Sequence, residues 1–223
     1  MGGRKRKGTP LQSDRQKIAK IAQEVVLRNQ ETKHIVYEDT AQSIGTTPKS
    51  WNIMHFGASR GSSENNFLGE SFYLKGISAK FSGTNNQGVG NAAPYKQAIR
   101  IYTMIVAAKD FRTVTNLAVN DICDQSIPSH TAERHYIDSN KCHVLAKASF
   151  LCQPGLLDGA NGQLVIWNTD MYAPIEKRVK FRHFGTSAEL SEWNYYVVAW
   201  GDSNILGSQV PMAVSFKAYI KDA

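Results

Sequence analysis

The sequence is short of several things that decide function, and each shortage excludes a class. Its 223 residues contain no run of about 18 apolar residues, so no membrane-spanning helix is predicted. Cysteine is scarce. Cys123, Cys142 and Cys152 are an odd number at irregular spacing, which excludes a fully paired disulfide framework and favours an intracellular site of synthesis. The segment Met1-Gly2-Gly3-Arg4-Lys5-Arg6-Lys7 lacks the apolar stretch of a secretory signal peptide. Gly2 invites myristoylation, but Arg6 stands where that motif needs Ser or Thr.

Catalytic signatures are equally thin. Gly83-Thr84-Asn85-Asn86-Gln87-Gly88-Val89-Gly90 is glycine-rich, but no Lys-Ser/Thr follows as a phosphate loop requires, so a surface turn is predicted. Cys123, His130, His135 and Cys142 do not fit the paired spacing of a zinc site. Cys142 and His143 are adjacent, so on a strand they point to opposite faces and cannot act as a nucleophile–base pair. No enzymatic role and no cofactor are expected. Calcium between subunits is compatible with the oxygen donors Asn65, Asn66, Asp121, Asp124, Asp138, Asp158 and Asp202, but no ligand set among them stands out.

Acidic residues are almost missing from the start of the chain. Residues 1–20 hold Arg4, Lys5, Arg6, Lys7, Arg15, Lys17 and Lys20 against Asp14 alone, a net +6 of the chain's +7. The remaining 203 residues hold 19 basic and 18 acidic groups. A nearly neutral body with a short cationic tail is the pattern of a polyanion-binding arm. Arg4 to Lys7 also fit a nuclear-localisation signal, and the two uses are compatible.

Three segments are predicted: a disordered basic arm over 1–11, an amphipathic helix over 12–29, and one folded domain over 30–223. Ser13 is the expected helix cap, with Gln16 as its capping-box partner. Ile18, Ile21, Ala22, Val25 and Val26 form one apolar stripe. Arg15, Lys20, Glu24 and Arg28 lie mostly off it. A lone short helix is marginal in water, so the stripe needs a partner. Either other copies of the helix or a sandwich surface, its own or a neighbour's, would serve.

Beyond residue 34 the texture is that of strands: 34–40, 51–56, 71–82, 97–108, 142–152, 163–168, 177–184, 194–201 and 211–221. In Val214-Ser215-Phe216-Lys217-Ala218-Tyr219-Ile220 the even positions point one way and the odd ones the other. Tyr195-Tyr196-Val197-Val198-Ala199-Trp200 reads as a buried strand. Trp51, Trp167, Trp193 and Trp200 are expected to anchor core or interfaces rather than stack on bases. Strands with no helical pattern between them argue for an all-β sandwich or barrel. Residues 57–69, 83–94 and 123–140 are the expected surface loops, and Leu117 to Ile122 could form a helical turn.

Taken in order, these pieces resemble the small jelly-roll capsid proteins of satellite tobacco necrosis virus and of circular single-stranded DNA (CRESS-DNA) viruses. The likeness runs from the cluster Arg4 to Lys7 and the helix over 12–29 to the strand opening Ile99-Arg100-Ile101-Tyr102. It continues through Val119-Asn120-Asp121-Ile122 and His135-Tyr136-Ile137-Asp138, and ends on the apolar strand Ser215 to Ala223.

The resemblance implies an eight-stranded antiparallel jelly roll that closes about sixty copies into a T=1 icosahedral shell. It implies arms facing a single-stranded genome, with Arg4, Lys5, Arg6, Lys7, Arg15, Lys17, Lys20 and Arg28 as nucleic-acid contacts, and helices clustered at threefold axes. Sixty such arms would neutralise roughly 360 phosphates. A longer genome needs further cations, for which Lys177, Arg178, Lys180 and Arg182 are inner-wall candidates, although a solvated strand face explains them too. The implied location is the virion, after synthesis in the host cytoplasm, with nuclear entry through Arg4 to Lys7. Whether the genome is DNA or RNA, and which receptor is used, stay open. The alternative is a cellular jelly-roll binding module, lectin-like or cytokine-like, with a basic tail.

Overall fold

The structure, a computed structural model, describes residues 10–29, 32–45, 48–53, 71–84, 98–109, 138–152, 166–180, 193–202 and 210–222. Arg4 to Lys7, Arg182, Cys123, His130 and His135 lie outside the described residues, as do the turn at 117–122, the loop at 57–69 and most of the other two expected loops.

Among the described residues one helix, α1 (Pro10–Asn29), precedes eight strands: β1 (Lys33–Ile44), β2 (Lys49–Asn52), β3 (Ser71–Thr84), β4 (Ile99–Lys109), β5 (Cys142–Cys152), β6 (Ile166–Lys180), β7 (Trp193–Gly201) and β8 (Val210–Asp222). The helix begins two residues before the expected start. Pro10 suits the first helical position, where its missing N–H would have no partner anyway and its fixed φ is already helical. Ser13 therefore sits inside the first turns rather than at the cap.

The strands form two four-stranded sheets, ordered β1-β8-β3-β6 and β2-β7-β4-β5, and every pairing is antiparallel. Successive strands switch sheets at every step except β4 to β5, which pair directly. This wrapping is the jelly roll, and the fold class expected from the sequence is the one observed.

Alternation explains which faces meet. On β8, Met212, Val214, Phe216, Ala218 and Ile220 are buried, while Ala213, Ser215, Lys217 and Tyr219 are half-exposed on the other side. On β3, Phe72, Leu74, Ile77, Ala79 and Phe81 are buried between the sheets. The switch from even to odd buried positions marks a bulge between Leu74 and Gly76, where Lys75 is the extra residue. The second sheet contributes Ile99, Ile101, Ile105, Tyr195, Val197 and Ala199 to the same core.

The two sheets differ on their outer faces. On β2-β7-β4-β5 that face is apolar as well: Met104, Val106, Ala108, Cys142, Tyr196, Val198 and Trp200 form a second buried cluster, with Tyr102 stacked on Trp200 at 5.5 Å. The run Tyr195 to Trp200 is thus buried on both sides, as its lack of alternation predicts. The outer face of β1-β8-β3-β6 is polar and charged.

Two predicted strands, 163–168 and 177–184, fall on the single strand β6 where they are described, over 166–168 and 177–180. Pro174 separates them in sequence, and a proline argues against a central strand. But β6 is an edge strand, where one N–H can be absent without breaking the sheet. Opposite Leu74–Gly76, β6 inserts Ile175 and Glu176, and Glu176 takes a left-handed φ of 51°.

Candidate nucleic-acid interface

The basic groups fall into two sets. The first lies on α1. Arg15, Lys17 and Lys20 are exposed, and Lys17 Nζ lies 3.9 Å from the Asp14 carboxylate one turn away. Arg28 belongs to the same helix. The apolar stripe is exposed too: Ile18 is 65%, Ile21 60%, Val25 51% and Val26 56% accessible. Among the described residues nothing of the chain's own sandwich covers it, so other copies of the helix and a neighbour's sandwich stay open as its partners.

The second set lies on the outer face of β1-β8-β3-β6. Registers give its rows. Glu38, Ser215, Lys80 and Asp170 form one row, and Val36, Lys217, Ser78 and Tyr172 the next. His34, Tyr219 and Gly76 follow, and then Lys221, Tyr73 and Arg178, with Lys180 opposite Ser71 at the end. Charge is unevenly spread over these rows. The Glu38 row holds two carboxylates and one lysine. The far end holds Lys75, Arg178, Lys180, Lys217 and Lys221 against Glu176. This basic end is also where the chain passes from α1 into β1, because β1 begins at Lys33 opposite Ile220.

The inner-wall candidates are divided by the strand's own alternation. Arg178 and Lys180 face outward, and the Arg178 guanidinium donates from Nε and a terminal nitrogen to Ser71 Oγ at 3.2 and 3.0 Å. Lys177 pairs with Leu74 and projects from the opposite side of the edge strand.

Aromatic rings fill the same end. His34 meets Tyr219 edge-on at 5.1 Å, and Tyr219 meets Tyr172 edge-on at 6.1 Å. Tyr172 reaches across β3 because Gly76 leaves room for it. A Cβ at Gly76 would collide with the Tyr172 ring and stand 2.9 Å from the Ala173 carbonyl oxygen. Gly76→Ala is expected to cost about 1–3 kcal/mol by overpacking, read as a lower urea midpoint.

The Tyr73 hydroxyl donates to Glu176 Oε2 at 2.7 Å. That hydrogen bond, then partial burial and the carboxylate's charge, push its pKa up to about 12 from an ordinary value of 10.0. The folded protein thus keeps a proton that the unfolded chain loses. The stability gained is complete below pH 10 and is lost as pH rises from 10 towards 12. Tyrosinate absorbance should show a group titrating as late as about pH 12, and Glu176→Gln should move that group back towards pH 10.

Other candidates resolve simply. Cys142 is buried while His143 is exposed, so the adjacent pair does face opposite ways. Burial, then the nearby Asp138, raise the Cys142 thiol to about 11, which keeps it protonated at neutral pH. Burial raises Cys152 to about 12. Asp138 is occupied with its own turn, accepting from the Asn140 N–H at 2.9 Å and facing Lys141 Nζ at 3.6 Å, and Asp202 accepts from the Arg100 N–H at 2.9 Å. No cluster of three or more metal-ligating side chains occurs among the described residues. Trp51, Trp167 and Trp200 are buried, as expected of core anchors, and half-buried Trp193 packs on His143.

Sequence reading missed the outer-face tyrosines. The odd positions of β8 were legible as one face, but Tyr172 joins them only through the order β8-β3-β6.

No family model and no curated protein matches the sequence. Among solved structures the chain is similar to VP1 of Trichodysplasia spinulosa-associated polyomavirus in complex with GM1 oligosaccharide, at 8% identity over 86% of this chain and 93% of that one, with a TM-score of 0.27. The jelly-roll assignment rests on the strand order of this chain and draws nothing from that likeness.

Proposed function

We propose that the protein is a viral coat subunit, which assembles with copies of itself into a small icosahedral shell and packages a single-stranded genome through its basic N-terminal segment. The observation that carries this reading is the segregation of charge: a net +6 in the first twenty residues, ahead of a nearly neutral jelly roll. One such arm binds weakly and without sequence preference. Many arms on one closed surface bind together, so avidity replaces affinity.

The exposed stripe on α1 supports self-assembly. Ile18, Ile21, Val25 and Val26 repeat at helical spacing and are not covered by the described residues of the chain. Packing against the same stripe of neighbouring copies would bury it and place Arg15, Lys17 and Lys20 together. In that reading Arg4 to Lys7, which lead into α1, extend the cationic surface toward the genome, and about sixty copies close the shell. The subunit performs no catalysis in this role.

Sedimentation velocity of the full-length protein from expressing cells, recorded at 260 and 280 nm, tests the reading. A fast boundary with high 260 nm absorbance is expected. A slow boundary at monomer or trimer size, unchanged by nucleic acid at low salt, would instead favour a cellular binding module.

A further inference from the structure

We propose that the outer face of β1-β8-β3-β6, at the end where the chain enters β1, is a second contact site for single-stranded nucleic acid, in which an unpaired base stacks on Tyr172 beside Tyr219 while the adjoining phosphates meet Lys217 and Arg178. The proposal deepens the packaging role above and rests on it for the identity of the polyanion.

Three observations converge on this end of the sheet. The first is the aromatic run. Tyr172 is 49% exposed although it is one of the largest side chains on the face, and its ring continues through Tyr219 to His34 across three strands. An exposed ring held in place by a neighbouring ring is pre-organised for stacking, so little side-chain entropy is lost on binding. Stacking on an aromatic platform tolerates any base, as packaging requires. Gly76 is a positioning residue here, because it is the missing side chain that lets the Tyr172 ring lie over β3.

The second observation is charge. Lys217 is the direct neighbour of Tyr172 across Ser78, and Arg178 is next to Tyr73 beyond the bulge. Their half of the face carries an excess of cations, whereas the Glu38 row beyond Lys217 turns acidic. A strand of nucleic acid is thus favoured over the rings and disfavoured past them. The depression on this face lies mainly over the Glu38 row, among Glu38, Lys80, Asp170 and Ser215, and meets the proposed site only along its rim at Val36, Ser78, Lys217 and Tyr219.

The third is placement. α1 ends at Asn29 and β1 begins at Lys33 at this same end, so the cations of α1 are joined to the ringed end of the sheet by only a few residues. The effective concentration at the second site is set by a short tether.

The test uses full-length protein and two fluorescent probes of equal charge, a short oligothymidylate and its abasic counterpart. Tyr172→Leu should weaken the thymidylate roughly 5- to 100-fold and leave the abasic strand unchanged. Tyr172→Phe, which keeps the ring, should restore wild-type binding. Lys217→Gln should weaken both probes and reduce the salt slope by about 0.7. Equal binding of both probes by wild type and Tyr172→Leu would overturn the site. Sedimentation separates this failure from that of the coat-protein reading. Particles rich in nucleic acid with no effect of Tyr172→Leu refute the platform alone. Loss of thymidylate binding in a protein that never forms particles upholds the platform and refutes the shell.

Discussion

In the proposed packaging role, deleting residues 1–9 is expected to lower the nucleic-acid content of particles far more than the melting temperature of the sandwich. The deletion takes away Arg4, Lys5, Arg6 and Lys7, four of the seven cations in the first twenty residues. For a single strand, each phosphate left without its cation lowers the slope of log K against log salt by about 0.7, so the four together flatten it by roughly 3. At moderate salt that corresponds to a large fall in affinity, multiplied across every arm in a shell. Among the described residues, the buried members of the apolar core run from Ile35 to Ile220. Particle absorbance at 260 nm and a melt of the same samples read the two effects separately. A chain that fails to fold without residues 1–9 would contradict this division of labour.

Phe216→Ala should have the opposite signature, a collapse of stability with arm chemistry intact. Phe216 is 1% exposed, stacks on Tyr37 at 4.9 Å, and lies on β8, which is paired on both sides. Removing its ring from a packed core costs about 3–5 kcal/mol, through forfeited transfer energy and the cavity left behind. Against a total of about 5–15 kcal/mol this is a large share. Lys217→Ala, one residue on, should change stability by less than about 0.5 kcal/mol, because its side chain stands on the outer face. Urea midpoints of the two variants measure the contrast. Similar losses at both positions would mean that the outer face is itself covered.

That pair of neighbours also shows how far the sequence is readable. Strict alternation made β8 legible, and β5 was expected over the span it occupies, 142–152. The apolar run of β7 gave its burial on both faces. Where local signals conflict, reading fails. Pro174 and the inserted Ile175-Glu176 interrupt the pattern of β6, so one strand looked like two. A proline's meaning depends on whether its strand lies at an edge, which is a property of the whole sheet. The interface was legible to the extent that charge is local. The arm and the α1 stripe are contiguous in sequence. The set of Tyr172, Tyr219 and Gly76 is assembled by strand order, and no spacing within one segment reveals it.

The irregularity in β6 bears on how growth stops. In the proposed coat-protein role the chain would reach high local concentration, and an open sheet edge is a template on which identical chains can add without end. Pro174 removes a backbone donor from that edge, and the left-handed residue at Glu176 bends it out of register with any straight partner. Fibres by strand addition along β6 are thereby discouraged. In that role association would be left to side-chain surfaces, whose rotations can close on themselves, so the same kink that obscured the strand would favour a finite particle over an endless one.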